Sequence, residues 1–175
     1  MKRGFTLIEL VIVIAILAIL ASVVVLTLNP AQLMAQARDS QRISDLGSVK
    51  SAIALYLATA TSPAMAVGPN AMASTTCEGF SSGVCTLVAA TTVTGSGWVA
   101  INFSNTTGGS PLSALPTDPT NTATHQYAYK GDATNLVYKI TGKLESAKYI
   151  AAGGPMSSDG GNNTSLYEIG TDLGL

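Results

Sequence analysis

Gly4-Phe5-Thr6-Leu7-Ile8-Glu9, with Lys2 and Arg3 before it and a long apolar run behind it, decides how this chain reads. Between residues 5 and 28 the one ionisable side chain is Glu9. The run makes about 36 Å of helix at 1.5 Å per residue, enough to cross a bilayer. Residues 10–28 are apolar on every helical face, so no side is set apart for a protein core. Lys2 and Arg3 hold the start of the chain on the cytoplasmic side and direct the remainder outward. A carboxylate at the mouth of such a segment is costly to bring into lipid, and it is presumed functional.

Composition narrows the classes. The chain has 175 residues, which suits one domain plus an anchor. It is 47% hydrophobic and 11% charged, less than half the usual charged share, as expected where surface is hidden in a membrane or an assembly. Without Lys2 and Arg3 the balance is 7 basic to 10 acidic side chains, which argues against a basic face for nucleic acid. The sequence holds no nucleophile elbow, phosphate loop, metal quartet or paired carboxylates in a strong context. His125, the single histidine, sits between Thr124 and Gln126 and reads as a surface residue. The chain is not read as an enzyme.

Asn29-Pro30 ends the apolar run, and proline there predicts a kink or break. Beyond it the pattern becomes amphipathic: Ile43, Leu46, Val49, Ile53 and Leu57 form one stripe suited to packing on a sheet. Arg38, Gln41, Arg42, Asp45 and Ser48 read as lying largely off that stripe, Asp39–Arg42 and Arg42–Asp45 are spaced as i,i+3 pairs, and these charges read as a solvated face or as partners between subunits. A single helix over residues 5–58 would run about 80 Å, too long for this domain unless half of it is an anchor. Residues 59–76 are a connector with Pro63 and Pro69. Strand patterns follow at 86–93 and 98–103, separated by Gly95 and Gly97, with Trp98 expected in the core. Residues 126–130 and 136–140 alternate around 131–135 as the clearest hairpin. Leu144-Glu145 and Tyr149-Ile150 are expected to extend the sheet or cover its edge.

The basic leader ending in Gly4, then Phe5-Thr6-Leu7-Ile8-Glu9 and an apolar helix, resembles the class III signal of type IV pilins and of type II secretion pseudopilins. The resemblance implies cleavage between Gly4 and Phe5 by prepilin peptidase and N-methylation of Phe5. It makes Glu9 the family's assembly glutamate, a partner for the amine of Phe5 in a neighbouring subunit. It also implies a joint at Asn29-Pro30, whose plainer reading is a helix boundary at the membrane surface. Leu115-Pro116-Thr117-Asp118-Pro119, followed by Tyr127-Ala128-Tyr129-Lys130, resembles the loop-to-sheet passage of pseudopilins and some bacterial pilins. The implied fold is α+β: a long N-terminal helix packed on a small antiparallel sheet. Its parts are a leader (1–4), a membrane and filament-core helix (5–30), an amphipathic helix (31–58) and a β-rich head (59–175).

Given an export signal, Cys77 and Cys85 read as a disulfide, with free thiols in a reducing envelope as the rival. The tail is dense in oxygen ligands, and secretion pseudopilins often hold calcium there. Asp159, Asn162 and Asp172 are the candidate ligands, although the spacing matches no EF-hand or repeat-type loop and a plain turn-rich terminus is the blander reading. Otherwise no cofactor is expected. Asn102, Asn105, Asn162 and Asn163 lie in glycosylation sequons but are not taken as sites.

The expected function is structural: a subunit polymerising from an inner-membrane pool into an extracellular type IV pilus for adhesion, motility or DNA uptake. Expected partners are copies of itself, the peptidase, an inner-membrane assembly platform and, before assembly, lipid. A major pseudopilin of a type II secretion system is the near alternative. A membrane-anchored binding module that never polymerises is the distant one. Ordinary secretion, cut near Ala35-Gln36-Ala37, would leave Glu9 unexplained.

Overall fold

Thr6 opens the first helix, α1 (Leu7–Leu28), and Asn29 separates it from α2 (Pro30–Thr59). The computed structural model describes residues 4–175; Lys2 and Arg3, the expected cytoplasmic charges, lie outside the described residues. The break has a local cause. Proline lacks the N–H that would bond back into α1, while its fixed φ suits the first position of a new helix. Asn29 turns into the left-handed region at φ 41° and accepts a long hydrogen bond from Gln32 N at 3.4 Å, capping α2.

α2 buries one face along its length. Ala35, Asp39, Arg42, Leu46, Val49, Ile53 and Tyr56 are spaced alternately by four and three, and all are buried. That stripe packs on a five-stranded sheet of order β2-β1-β3-β4-β5. The strands are β1 (Asn70–Ala71), β2 (Thr86–Leu87), β3 (Ala128–Asp132), β4 (Val137–Gly142) and β5 (Tyr167–Gly170). β3 and β4 form the expected hairpin, with Tyr129 opposite Ile140. β5 adds antiparallel to β4, whereas β1 and β2 run parallel, so the sheet is mixed rather than wholly antiparallel. The core between helix and sheet gathers Leu46, Val49, Ile53, Tyr56, Trp98 and Ile140.

The hairpin expected from 86–93 and 98–103 does not form. Only Thr86–Leu87 is strand, and Phe103–Asn105 is a turn of 3-10 helix. Trp98, Val99, Ile101 and Phe103 are all fully buried, so this segment is a core plug rather than an alternating strand. Its amides bond to irregular chain: Trp98 N to Ala90 O and Phe103 N to Val93 O. Gly97 is required there, because a Cβ would collide with the Thr92 carbonyl oxygen. Tyr149-Ile150 does not extend the sheet. It belongs to the short helix α3 (Ala147–Ile150), followed by a second, α4 (Pro155–Ser158).

Candidate functional site

At the N-terminal end, Thr6 and Glu9 build a reciprocal cap. Glu9 N donates to Thr6 Oγ1 at 3.3 Å, and Glu9 Oε2 accepts from Thr6 N at 2.8 Å and from Thr6 Oγ1 at 2.7 Å. This is a capping box, which satisfies donors that the first helical turn leaves open. Glu9 therefore already has a role within its own chain. Among the described residues its second oxygen, Oε1, accepts no hydrogen bond. Phe5 and Gly4 precede the helix and are exposed, as a cleavage site must be.

The described side chains of the rest of α1 face outward. Leu7, Ile8, Leu10, Ile14, Leu17 and Leu20 are each more than half exposed, and the helix is long and apolar enough to cross a membrane. Its hydroxyls are satisfied internally: Ser22 Oγ donates to Ile19 O at 2.7 Å, and Thr27 Oγ1 to Val23 O at 3.0 Å. Such a surface loses nothing by leaving water for lipid or for other apolar helices.

Nine residues past Pro30, charge begins to be buried. Arg42 has no exposure, and Asp118 holds it bidentately, Nε to Oδ2 at 2.7 Å and Nη2 to Oδ1 at 3.0 Å. Arg42 Nη1 also donates to Asp39 at 2.8 Å and to Glu145 at 2.7 Å. Arg38 forks onto Glu145 at 2.7 and 2.9 Å. Asp39 turns its oxygens to the backbone N–H groups of Glu145 and Ser146. Burial alone would lower the Arg42 pKa, but the bonds to Asp118 and Glu145 outweigh it, and the guanidinium is raised further above its ordinary value. The Arg38 hydrogen bond, with help from Arg42 and against burial, brings Glu145 down to about 2. Burial raises the Asp118 pKa, yet Arg42 and Thr120 win and hold it below the usual carboxylate range.

These contacts correct the expected placing of α2's charges. Asp39 and Arg42 are neither solvated nor turned toward another subunit; they sit on the buried stripe, continuing Leu46 and Val49 by one step of four and one of three. The signal was present in the spacing. The pairing of Asp39 with Arg42, three residues apart, was legible too, but Asp118 and Glu145 were not, because they lie 76 and 103 residues from Arg42. The Pro116-to-Pro119 loop serves to aim Asp118 at α2, and its Pro116 carbonyl accepts Trp98 Nε1 at 3.0 Å.

Cys77 and Cys85 are bonded, with Cα atoms 5.5 Å apart. A closure of this size restricts the unfolded chain by about 2–3 kcal/mol in the chain-entropy description. Each calcium candidate is engaged by groups of its own chain. Asp159 accepts from Gly161 N and Glu168 N, Asp172 from Gly174 N, and Asn162 Oδ1 faces Lys139 Nζ at 3.4 Å. Among the described residues no three His, Cys, Asp or Glu side chains are grouped to hold a metal. The positive charge in this region is Lys139, fully buried and ion-paired to Glu168, though off the line of a good hydrogen bond. Sequence reasoning missed Lys139, which looks like an ordinary polar position of a hairpin strand.

Residues 1–25 match the family model described as the prokaryotic N-terminal methylation motif. Comparison with curated proteins and with solved structures finds no match. Signal and architecture together define an α+β, pilin-like protein with a class III signal. The motif implies a structural protein rather than an enzyme. With the exposed apolar helix, it fits anchoring in a membrane before assembly.

Proposed function

We propose that the chain is a structural subunit cut between Gly4 and Phe5, held in the inner membrane by α1, and polymerised into a type IV pilus. The observation that carries this is α1 itself: an apolar helix exposed on all sides, behind a methylation motif, with one carboxylate at its start. After cleavage Phe5 carries an amine of reference pKa about 8, protonated at neutral pH, and methylation preserves the charge. In a filament core that charge needs a partner, since an unpaired buried ion costs several kcal/mol. Glu9 of an adjacent subunit supplies it through Oε1, without giving up its own cap. The head then rides outside on α2, locked by Arg42.

The peptidase, an assembly platform in the inner membrane and further copies of this chain are the partners. N-terminal mass analysis of the mature protein tests the reading. The expected start is N-methylated Phe5, whereas a start at Arg38 would mean ordinary secretion and an uncut Met1 would mean an anchored module. A type II secretion pseudopilin is the second reading, favoured by Asp118 and its Arg42 partner in the Leu115-to-Pro119 passage. Long surface filaments on electron microscopy support the pilus. A secretion defect on deletion, without such filaments, supports the pseudopilus.

A further inference from the structure

Two parts of the head far apart in sequence close on one side chain. Lys139, on β4, donates from Nζ to Gly79 O at 2.8 Å, inside the Cys77–Cys85 loop, and to Leu173 O at 2.9 Å in the C-terminal turn. Glu168 on β5 pairs its charge, and Asn162 Oδ1 completes the surround. The loop and the C-terminal segment also touch directly. Gly79, at φ +86°, approaches so closely that a Cβ there would fall 2.6 Å from Leu166 Cδ1. Phe80 places its ring 5.7 Å from Nζ and packs with both cysteines in a small apolar cluster. β5 has four residues, is an edge strand that among the described residues pairs with β4, and sets Ile169 into the helix–sheet core, while its flanks, Asn162 and Leu173, meet Lys139.

We propose that closing the Cys77–Cys85 bond fastens the C-terminal segment 159–175 to the sheet, with Lys139 as the connector. The cross-link fixes where Gly79 O stands, Gly79 O fixes the ammonium, and the ammonium fixes Leu173 and Glu168. In the closing step the two thiols lose two protons and two electrons to an external disulfide oxidant, which leaves as a dithiol. The dithiol form of the chain thus keeps α2, β3 and β4 folded but has an open C-terminal edge. This concerns the head alone and holds whether or not the chain polymerises.

Hydrogen exchange of the full chain in detergent, with and without a dithiol reductant, tests it. Reduction is expected to speed exchange in 159–175 roughly tenfold or more, the scale of losing a bond to a charged group, while α2 and β3 keep their protection. Unchanged exchange in 159–175 overturns the proposal. So does equal acceleration in α2 and β3, which would make the bond a support of the whole head. In Lys139→Met the segment is expected to exchange fast while the disulfide is intact, with 77–85 still protected and little added by reduction. A folded Lys139→Met whose C-terminus stays protected removes Lys139 from the account. If that variant does not fold, the reduction of the unaltered chain decides alone.

Discussion

α1 and α2 follow one another with a single residue between them, yet they are inverted. α1 leaves its apolar side chains outside, with Phe5 at its mouth 82% exposed and Leu17 57% exposed. α2 takes charge inside, with Asp39 and Arg42 at 0%. Local rules make both of them helices. What differs is the solvent each is built for. α2 has found its partners within the chain, the carboxylates of Asp118 and Glu145 and an apolar sheet face, and is finished as a fold. α1 has found only Thr6, for Glu9, and its surface is finished only by lipid or by other copies.

The largest effect expected to break the contrast comes from Arg42→Ala. It leaves Asp39 and Asp118 buried without their cation, a loss of about 3–5 kcal/mol, read as a lowered denaturation midpoint of the full chain in detergent. Arg42→Lys should fall between, because an ammonium cannot reproduce the bidentate fork. Paired truncations sharpen the same point. Leu46→Ala, in the helix–sheet core, should cost about 2–5 kcal/mol. Leu17→Ala, the same change on α1, should shift head unfolding by less than about 0.5 kcal/mol.

A smaller effect is expected from pH. Glu145 and Asp118 bind protons less readily in the fold than in the unfolded chain, so the unfolded state takes up more protons on acidification. Their stabilisation is complete above about pH 4.5 and fades as pH falls toward 2. Thermal midpoints of the head should therefore be flat from pH 7 to 5 and drop below that. Midpoints that rise on acidification would contradict the buried network.

How much of this was legible follows the same division. α1, the break at Asn29-Pro30 and the β3–β4 hairpin rest on near neighbours, and the residues 5–28, the proline and the alternation around 131–135 announce them. Asp39 and Arg42 read as solvated because charge ordinarily goes with solvent, although their spacing sets them on the buried stripe. Residues 98–103 read as a strand because a run buried on both sides and a half-buried strand look alike when five apolar residues fall in six. β5 is hard to see because Tyr167-Glu168-Ile169-Gly170 is short and finds its ladder on β4, 25 to 31 residues back. Each failure lies where a partner dozens of residues away outweighs local preference.

The central claim is that Glu9 serves a neighbour's amine and not only its own helix, and Glu9→Gln tests that most directly. Glutamine keeps the capping box but carries no charge, so the helix should form and the chain should reach the membrane. Electron microscopy of cells expressing this variant should then show a processed subunit and no filaments. Filaments in normal number and length would contradict the account and reduce Glu9 to a cap.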